Sequence, residues 1–278
     1  MTILEHTFIH IRGLKTADKE RALWERGIKN HEDLLRSGLL PASAGQADWY
    51  AQTKRAIAEG DHDYFAERLP RDQHYRVAMA FPKETAFLDI ETTGLSRQYD
   101  QITIVGWSLG GDFKVMVYGR DDPLELTRDL GQAKALVTFN GKTFDVPFLN
   151  RSFTDLAIPK AHVDLRYLCK KVGLNGGQKS IEREIGLRRL EGDGDGRMAV
   201  ALWYAYKGGR NDQSRKKALK DLIIYNFADV NAMKLIFDAC LERLARRGHL
   251  PQHYGDHFKP LSRRPDFENS FPFSLEPF

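Results

Sequence analysis

"ETAFLDIETTGL", residues 84–95, runs a short apolar segment straight into two carboxylates, Asp89 and Glu91. The part "TAFLDIE" (85–91) has the length and composition of a buried strand. Side chains alternate between the faces of a strand, so acids two apart point to the same side. A charge at the end of a buried strand is costly without a partner. That partner is a base, a proton or a metal ion. Taken alone, an Asp-x-Glu pair is more simply read as a strand end meeting water, so the rest of the chain has to decide.

Toward the C-terminus, "QITIVGWSLG" (101–110) and "DFKVMVYG" (112–119) read as a hairpin about Gly110 and Gly111. A helix near 121–132 leads to the strand "KALVTFN" (134–140), the short helix "DVPFLNRSF" (145–153) and the strand "AHVDL" (161–165). Helical stretches continue to about 208. Residues 211–214 form an N-cap region, and helical periodicity then runs to Gly248. A three-strand meander followed by strand–helix units predicts an α/β protein: a mixed five-stranded sheet with helices on its faces.

Toward the N-terminus, residues 1–82 read as helical after a short extended start, "HTFIHI" (6–11). Helical patterns fall at 17–27, 31–37, 44–59, 62–68 and 71–80, punctuated by Gly27, Gly38, Gly60 and Pro70. The expected organisation is a helical region over 1–82, an α/β domain over 83–250 and a Pro/Phe-rich tail over 251–278 without regular structure. The tail carries four Phe in "FENSFPFSLEPF" (267–278). Packing on its own domain is the simpler reading, and a docking peptide is the alternative.

A chain of 278 residues can bury roughly 75 % of its unfolded surface, so it needs no staples. Cys169 and Cys240 have no metal-ligand spacing and make no disulfide framework, which points to a reducing, cytoplasmic setting. "MTILEHTFIHIRG" lacks the basic start and clean apolar core of a signal peptide, and no apolar run approaches membrane-spanning length. The net charge of +4 is weak support for a nucleic-acid partner, but its distribution says more. Residues 205–220 hold six Lys/Arg against one Asp, and 241–249 add three Arg against one Glu. Each run is either a solvated helix face or a track for a charged strand.

Two further acidic pieces follow the first. Asp145 in "TFNGKTFDVPFL" (138–149) comes after a strand and a glycine turn, where a carboxylate caps a helix favourably. In "IIYNFADVNAM" (223–233), Tyr225 and Asp229 are four apart on one helix face, among apolar neighbours. Each piece has an ordinary local explanation. Together, Asp89, Glu91, Asp145 and Asp229 fall at element ends that one sheet can gather. Two such charges at about 4 Å repel by about 4 kcal/mol at an effective dielectric of 20. Protonation or a metal relieves this, and an all-oxygen set suits Mg²⁺ or Mn²⁺. Lys142 could meet a phosphate or be a solvated turn lysine. Lys179, after Gly176 and Gly177, could bind a backbone. Asp164 could support the site or simply end a strand.

"DIE" (89–91), "NGKTFD" (140–145) and "YNFAD" (225–229) resemble the three motifs of the DEDD exonuclease superfamily, and Tyr225 resembles its DEDDy branch. "FLDIETTGLS", "HVDLRYL" and "GGQKSIEREIGLRR" add a similarity to the YprB-like predicted nucleases of ribonuclease-H-like fold, over most of residues 6–240. The resemblance implies two divalent cations, Mg²⁺ or Mn²⁺. Asp89, Glu91 and Asp229 would hold one, Asp89 would bridge to the second, and Asp145 would hold that one through water. Tyr225 would orient the attacking water or the group that deprotonates it. Thr92, Thr93 and Leu95 would contact the terminal nucleotide, and Asn140 would contact substrate or brace the site. The expected activity is 3′–5′ exonuclease on DNA or RNA with a single-stranded 3′ end. A structure-selective endonuclease and a non-catalytic binding module are the alternatives. Separately, "GLKTADKERALWERGIKNHEDLL" (13–35) resembles half of a helix–hairpin–helix DNA module, with a local core around Trp24 and Leu34 as the simpler reading.

Overall fold

A computed structural model describes residues 2–40, 48–189 and 196–252. The apolar run at 85–91 forms β1 (Thr85–Thr92). It pairs antiparallel with β2 (Ile102–Leu109), which turns through Gly110 and Gly111 into β3 (Asp112–Val117). Both turn glycines have positive φ, a conformation side-chain-bearing residues resist. On its other side β1 pairs parallel with β4 (Ala135–Thr138), which pairs parallel with β5 (His162–Asp164). The five-stranded sheet has the order β3-β2-β1-β4-β5, so β1 is central. This is the mixed sheet expected from the strand pattern.

Period-2 alternation sorts the strand side chains onto two faces. Ala86, Leu88 and Ile90 of β1 join Val105, Trp107 and Leu136 in one core, closed by α6 (Leu124–Gln132) and α7 (Asp145–Ser152). Phe87 belongs to the opposite core with Ile104, Phe113 and Val137. Asp89 and Glu91 share the parity of Phe87. That face is covered by α8 (Leu165–Lys171), α9 (Gln178–Glu184), α10 (Gly196–Gly208) and α11 (Asp212–Arg246).

The expected N-cap is present: Asn211 Oδ1 accepts from Ser214 N at 2.8 Å and starts the 35-residue α11. This helix packs against β1, β2, α8, α9 and α10, with buried residues from Ala218 to Leu244. The exposed Arg215, Lys216, Lys217 and Lys220 line its first turns.

The N-terminal region is helical, with α1 (Ala17–Glu25), α2 (His31–Arg36), α3 (Asp48–Glu59), α4 (His62–Arg68) and α5 (Tyr75–Ala80). A 3₁₀ turn at Arg71–Gln73 breaks the helix expected over 71–80. "HTFIHI" is not extended. A 3₁₀ turn occupies Ile3–His6, and Ile11 N bonds back to Phe8 O. The buried Glu20 carboxylate takes the amides of Phe8 and Ile9, so this apolar segment coils around a charge instead of joining a sheet. Glu20 is held in turn by Arg76 through two bonds of 2.6 and 2.9 Å. Phe8, Leu23 and Leu34 form a local core with Trp24 against it, which is the simpler of the two readings of residues 13–35. Tyr75 and Val77 of α5 instead share the core of Phe87 and Val137. The tail over 253–278 and residues 41–47 lie outside the described residues.

Candidate active site

β1 ends in a register shift between Glu91 and Thr92, at the edge where the parallel strands β4 and β5 also end. Carboxyl ends of parallel strands are where open α/β sheets place ligands. Asp89 and Glu91 point there toward α11, which presents Asp229. One oxygen from each of Asp89, Glu91 and Asp229 lies within 4.8 Å of the others. Glu91 and Asp229 are buried, and Asp89 is half-buried.

The close approach of α11 depends on a glycine. Gly106 of β2 is the register partner of Asp89. A Cβ at Gly106 would lie 1.7 Å from Asn226 Oδ1. With only hydrogen there, Asn226 reaches over the strand, and its Nδ2 donates to Asp89 Oδ2 at 2.8 Å and to Asp89 O at 3.3 Å. Both acceptors lie on one side of the amide, which fixes its orientation.

Asp145, the first residue of α7, comes from the opposite face of the sheet. Its Oδ1 accepts the Ile90 amide of β1 at 3.1 Å. It is not one of the three clustered oxygens. Asp229 is met by groups from the segment after α8. Arg189 binds its Oδ1, and Gln178 Nε2 donates to its carbonyl at 2.9 Å. Arg189 is shared with Glu182 through bonds of 2.8 and 2.6 Å. Lys179 Nζ donates to Tyr225 Oη at 2.9 Å and lies over the same ring.

The electrostatics follow from burial. Desolvation, then the neighbouring carboxylates, raise Asp89 and Glu91 well above the usual carboxylate range. Burial also raises Asp229, opposed by Arg189. Asp145 is pushed up by burial to about 7, opposed by its amide bonds. Burial and then the three clustered acids raise Tyr225 far above an ordinary phenol, so it is neutral at any physiological pH.

The remaining predicted residues are spread around this centre. Thr92 Oγ1 donates to Gly94 O at 2.6 Å. Thr93 Oγ1 donates to Asp100 Oδ1 at 3.0 Å, in a loop whose Leu95 is 85 % exposed. Asn140 takes φ +64 after β4, and its amide donates to Asp164 Oδ1 at 2.9 Å. Asp164 also collects the amides of Lys142 and Arg166, so it pins the loop after β4 to the end of β5. Asn140 Oδ1 accepts from Arg166 Nη1 at 2.8 Å, which makes it a brace in this structure. Lys142 is half-buried and lines a hollow together with Arg71, Asp72 and Asp164. Sequence reasoning missed Asn226, Gln178, Glu182 and Arg189. Gln178 and Glu182 are four apart on α9, the spacing of a shared helix face; Arg189 carries no such signal.

Residues 86–241 match the family model RNase_H_2, described as the RNase_H superfamily. The chain belongs to the RNase H superfamily. Its sheet order and flanking helices accord with that assignment. No curated protein matches the sequence. Among solved structures, Brucella melitensis NrnC with bound Mg²⁺ is 18 % identical, with 65 % of this chain and 83 % of that chain covered and a TM-score of 0.41. The Aedes aegypti Nibbler EXO domain is 11 % identical, with 67 % and 91 % covered and a TM-score of 0.36. The family B DNA polymerase of the hyperthermophilic archaeon Pyrobaculum calidifontis is 15 % identical, with 57 % of this chain and 24 % of that chain covered and a TM-score of 0.43. Among the described residues, no helix is long and apolar enough to cross a membrane.

Proposed function

We propose that this RNase H superfamily chain is a divalent-metal-dependent nuclease that removes nucleotides from the 3′ end of a nucleic acid, of the DEDDy type and similar to the YprB-like group. The observation that carries the reading is the convergence of Asp89, Glu91 and Asp229 to within 4.8 Å at the carboxyl edge of the sheet. These three acids and Glu182 outnumber the nearby cations Arg189 and Lys179, which leaves an excess of negative charge in a buried place. All three offer only oxygen, which fits a hard cation such as Mg²⁺ or Mn²⁺.

Asp89, Glu91 and Asp229 would hold one ion, with Asp89 shared and Asp145 serving a second. When bound, such ions supply Lewis acidity and a lowered water pKa. Asn226 fixes the rotamer of Asp89 through its bonds to the carboxylate and the carbonyl. Tyr225 accepts from Lys179 and therefore turns its own proton away from the ammonium. Held neutral, it orients a water or a phosphate oxygen and does not abstract a proton. Leu95, exposed beside Thr92 and Thr93, would pack on the terminal nucleotide. The pinned loop at residues 140–142 keeps Asn140 in place. The division into a helical region over 1–82, a catalytic region over 83–250 and a C-terminal tail over 251–278 belongs to the same proposal. So does a reducing, cytoplasmic setting, which suits the unbridged Cys169 and Cys240.

The test uses 5′-labelled single-stranded DNA and RNA with Mg²⁺ or Mn²⁺, beside Asp89→Ala and Asp229→Ala, with circular DNA as the end-free control. A ladder that shrinks from the 3′ end, absent from both variants and from metal-free reactions, is the expected result. Cutting of the circle at a comparable rate would replace the exonuclease by an endonuclease. Binding without cleavage of any substrate would refute catalysis.

A further inference from the structure

A cavity of about 390 Å³ opens beyond the loop after β4, where the N-terminal region meets the sheet. That volume is within the usual range for small-molecule and cofactor sites. Arg71, Asp72 and Tyr75 come from the N-terminal helices; Lys142 and Asp164 come from the carboxyl ends of β4 and β5; Lys170 and Lys171 come from α8. The cavity therefore exists only because residues 71–75 lie against the sheet.

Its charge is unbalanced. Arg71, Lys142, Lys170 and Lys171 outnumber the carboxylates of Asp72 and Asp164, and Asp164 already accepts three amides, from Asn140, Lys142 and Arg166. Asp72 is bound by Lys171 at 2.6 Å. The side-chain cations of Arg71, Lys142 and Lys170 have no hydrogen bond or ion pair among the described residues, and Lys142 is half-buried. An excess of cations around one hollow, with Tyr167 at its rim 54 % exposed, fits an anion carrying a planar group.

Its position says which anion. β5 lies two strands from β1 in the sheet, about 10 Å at the usual spacing of neighbouring strands. Asp164 at the end of β5 and Asp89 near the end of β1 therefore share one edge of the sheet. At that separation, a strand whose end sits at the clustered acids needs only a few nucleotides to reach this hollow. We infer that the cavity between residues 71–75, the loop after β4 and α8 is a nucleotide subsite for the substrate strand, gripping a backbone phosphate with Arg71, Lys142 and Lys170 and stacking a base on Tyr167. The inference rests on the nucleic-acid reading of the acidic site, and it gives the N-terminal region a direct part in holding substrate.

The experiment reads binding, so that it does not depend on turnover. Full-length protein carrying Asp89→Asn is titrated against a fluorescent 12-nucleotide single strand at several salt concentrations. Arg71→Ala with Lys170→Ala, both exposed positions, is compared with the matched exposed pair Arg36→Ala and Lys54→Ala outside the cavity. Thermal melting checks that each variant folds as its parent does. The cavity pair is expected to weaken binding at least tenfold and to flatten the log K against log salt slope by about 0.7 for each phosphate no longer neutralised. The control pair is expected to change neither by as much. Equal losses in the two pairs, or none in either, would overturn the subsite. So would a parent that binds no strand. Wild type that binds the strand but cuts nothing would refute the nuclease reading, while the two pairs would still decide the subsite.

Discussion

Gly106→Ala adds one methyl group opposite Asp89, and the consequence can be worked from the structure. The new Cβ would stand 1.7 Å from Asn226 Oδ1, 2.8 Å from its Cγ and 3.0 Å from the Phe113 ring. Ordinary van der Waals separation needs about 3.5 Å, so the amide has to retreat by about 2 Å. That breaks its 2.8 Å bond to the Asp89 carboxylate. A hydrogen bond to a charged group contributes about 1.5–3 kcal/mol, and overpacking costs about 1–3 kcal/mol more. We expect a loss of about 4 kcal/mol, or about 10 °C in Tm for a chain of this size. The assay is a double-mutant cycle by calorimetry with Asn226→Ala. Removing the amide frees the space, so Gly106→Ala in that background should cost under about 1 kcal/mol. A cost of about 4 kcal/mol in both backgrounds would refute the reasoning, because the clash would then lie with Phe113 or the strand itself.

Three further outcomes follow from other parts of the molecule. Glu20→Gln leaves Arg76 charged and buried, and should lower stability by about 3–5 kcal/mol in urea unfolding with little change in m-value. His31 is lowered by burial to about 4, so its neutral ring is favoured by the folded state. Its contribution is complete above about pH 6.5 and is lost as pH falls toward 4, by about 3 kcal/mol. Subtracting the stability profile of His31→Gln from that of the parent should isolate this slope, and a flat difference would contradict it. On the metal reading, Mg²⁺ or Mn²⁺ at about 100 times its Kd should stabilise the fold by about 2.7 kcal/mol, raising Tm by roughly 5–10 °C. Asp229→Asn should abolish that rise.

Much of the sheet was legible because local signals agreed. The apolar run of β1, the glycine pair between β2 and β3, and the cap at Asn211 each carry a short-range cause. The clustering of Asp89, Glu91 and Asp229 was legible from parity on a strand and face on a helix. What was hidden depends on partners far along the chain. "HTFIHI" alternates like a strand, yet Glu20 takes the amides of Phe8 and Ile9, which no local pattern announces. Asn226 sits in plain view beside Tyr225, but its reach depends on the bare backbone of Gly106. Lys179 was read as a residue that could bind a backbone, and its bond to Tyr225 was not foreseen, because the two lie 46 residues apart. Lys142 was expected to meet a phosphate or to be a solvated turn lysine; it is half-buried and lines a hollow with Arg71 and Asp164, which its position in the sequence does not announce.

The length of α11 has a bearing on how this chain can vary. Its 35 residues form one unbroken helix with a cap at one end and buried side chains along most of it. A single inserted residue before Asn226 would turn everything beyond it by about 100° relative to what precedes it. Asn226 and Asp229 would then swing off β1 together, or the whole N-terminal half would. Neither half can absorb the turn, because Leu219 and Leu222 are as buried as Met233 and Phe237. Relatives of this chain should therefore keep the number of residues between Leu219 and Phe237 constant. Gains and losses of length should collect in the exposed turn at residues 209–211, where an extra residue rotates nothing.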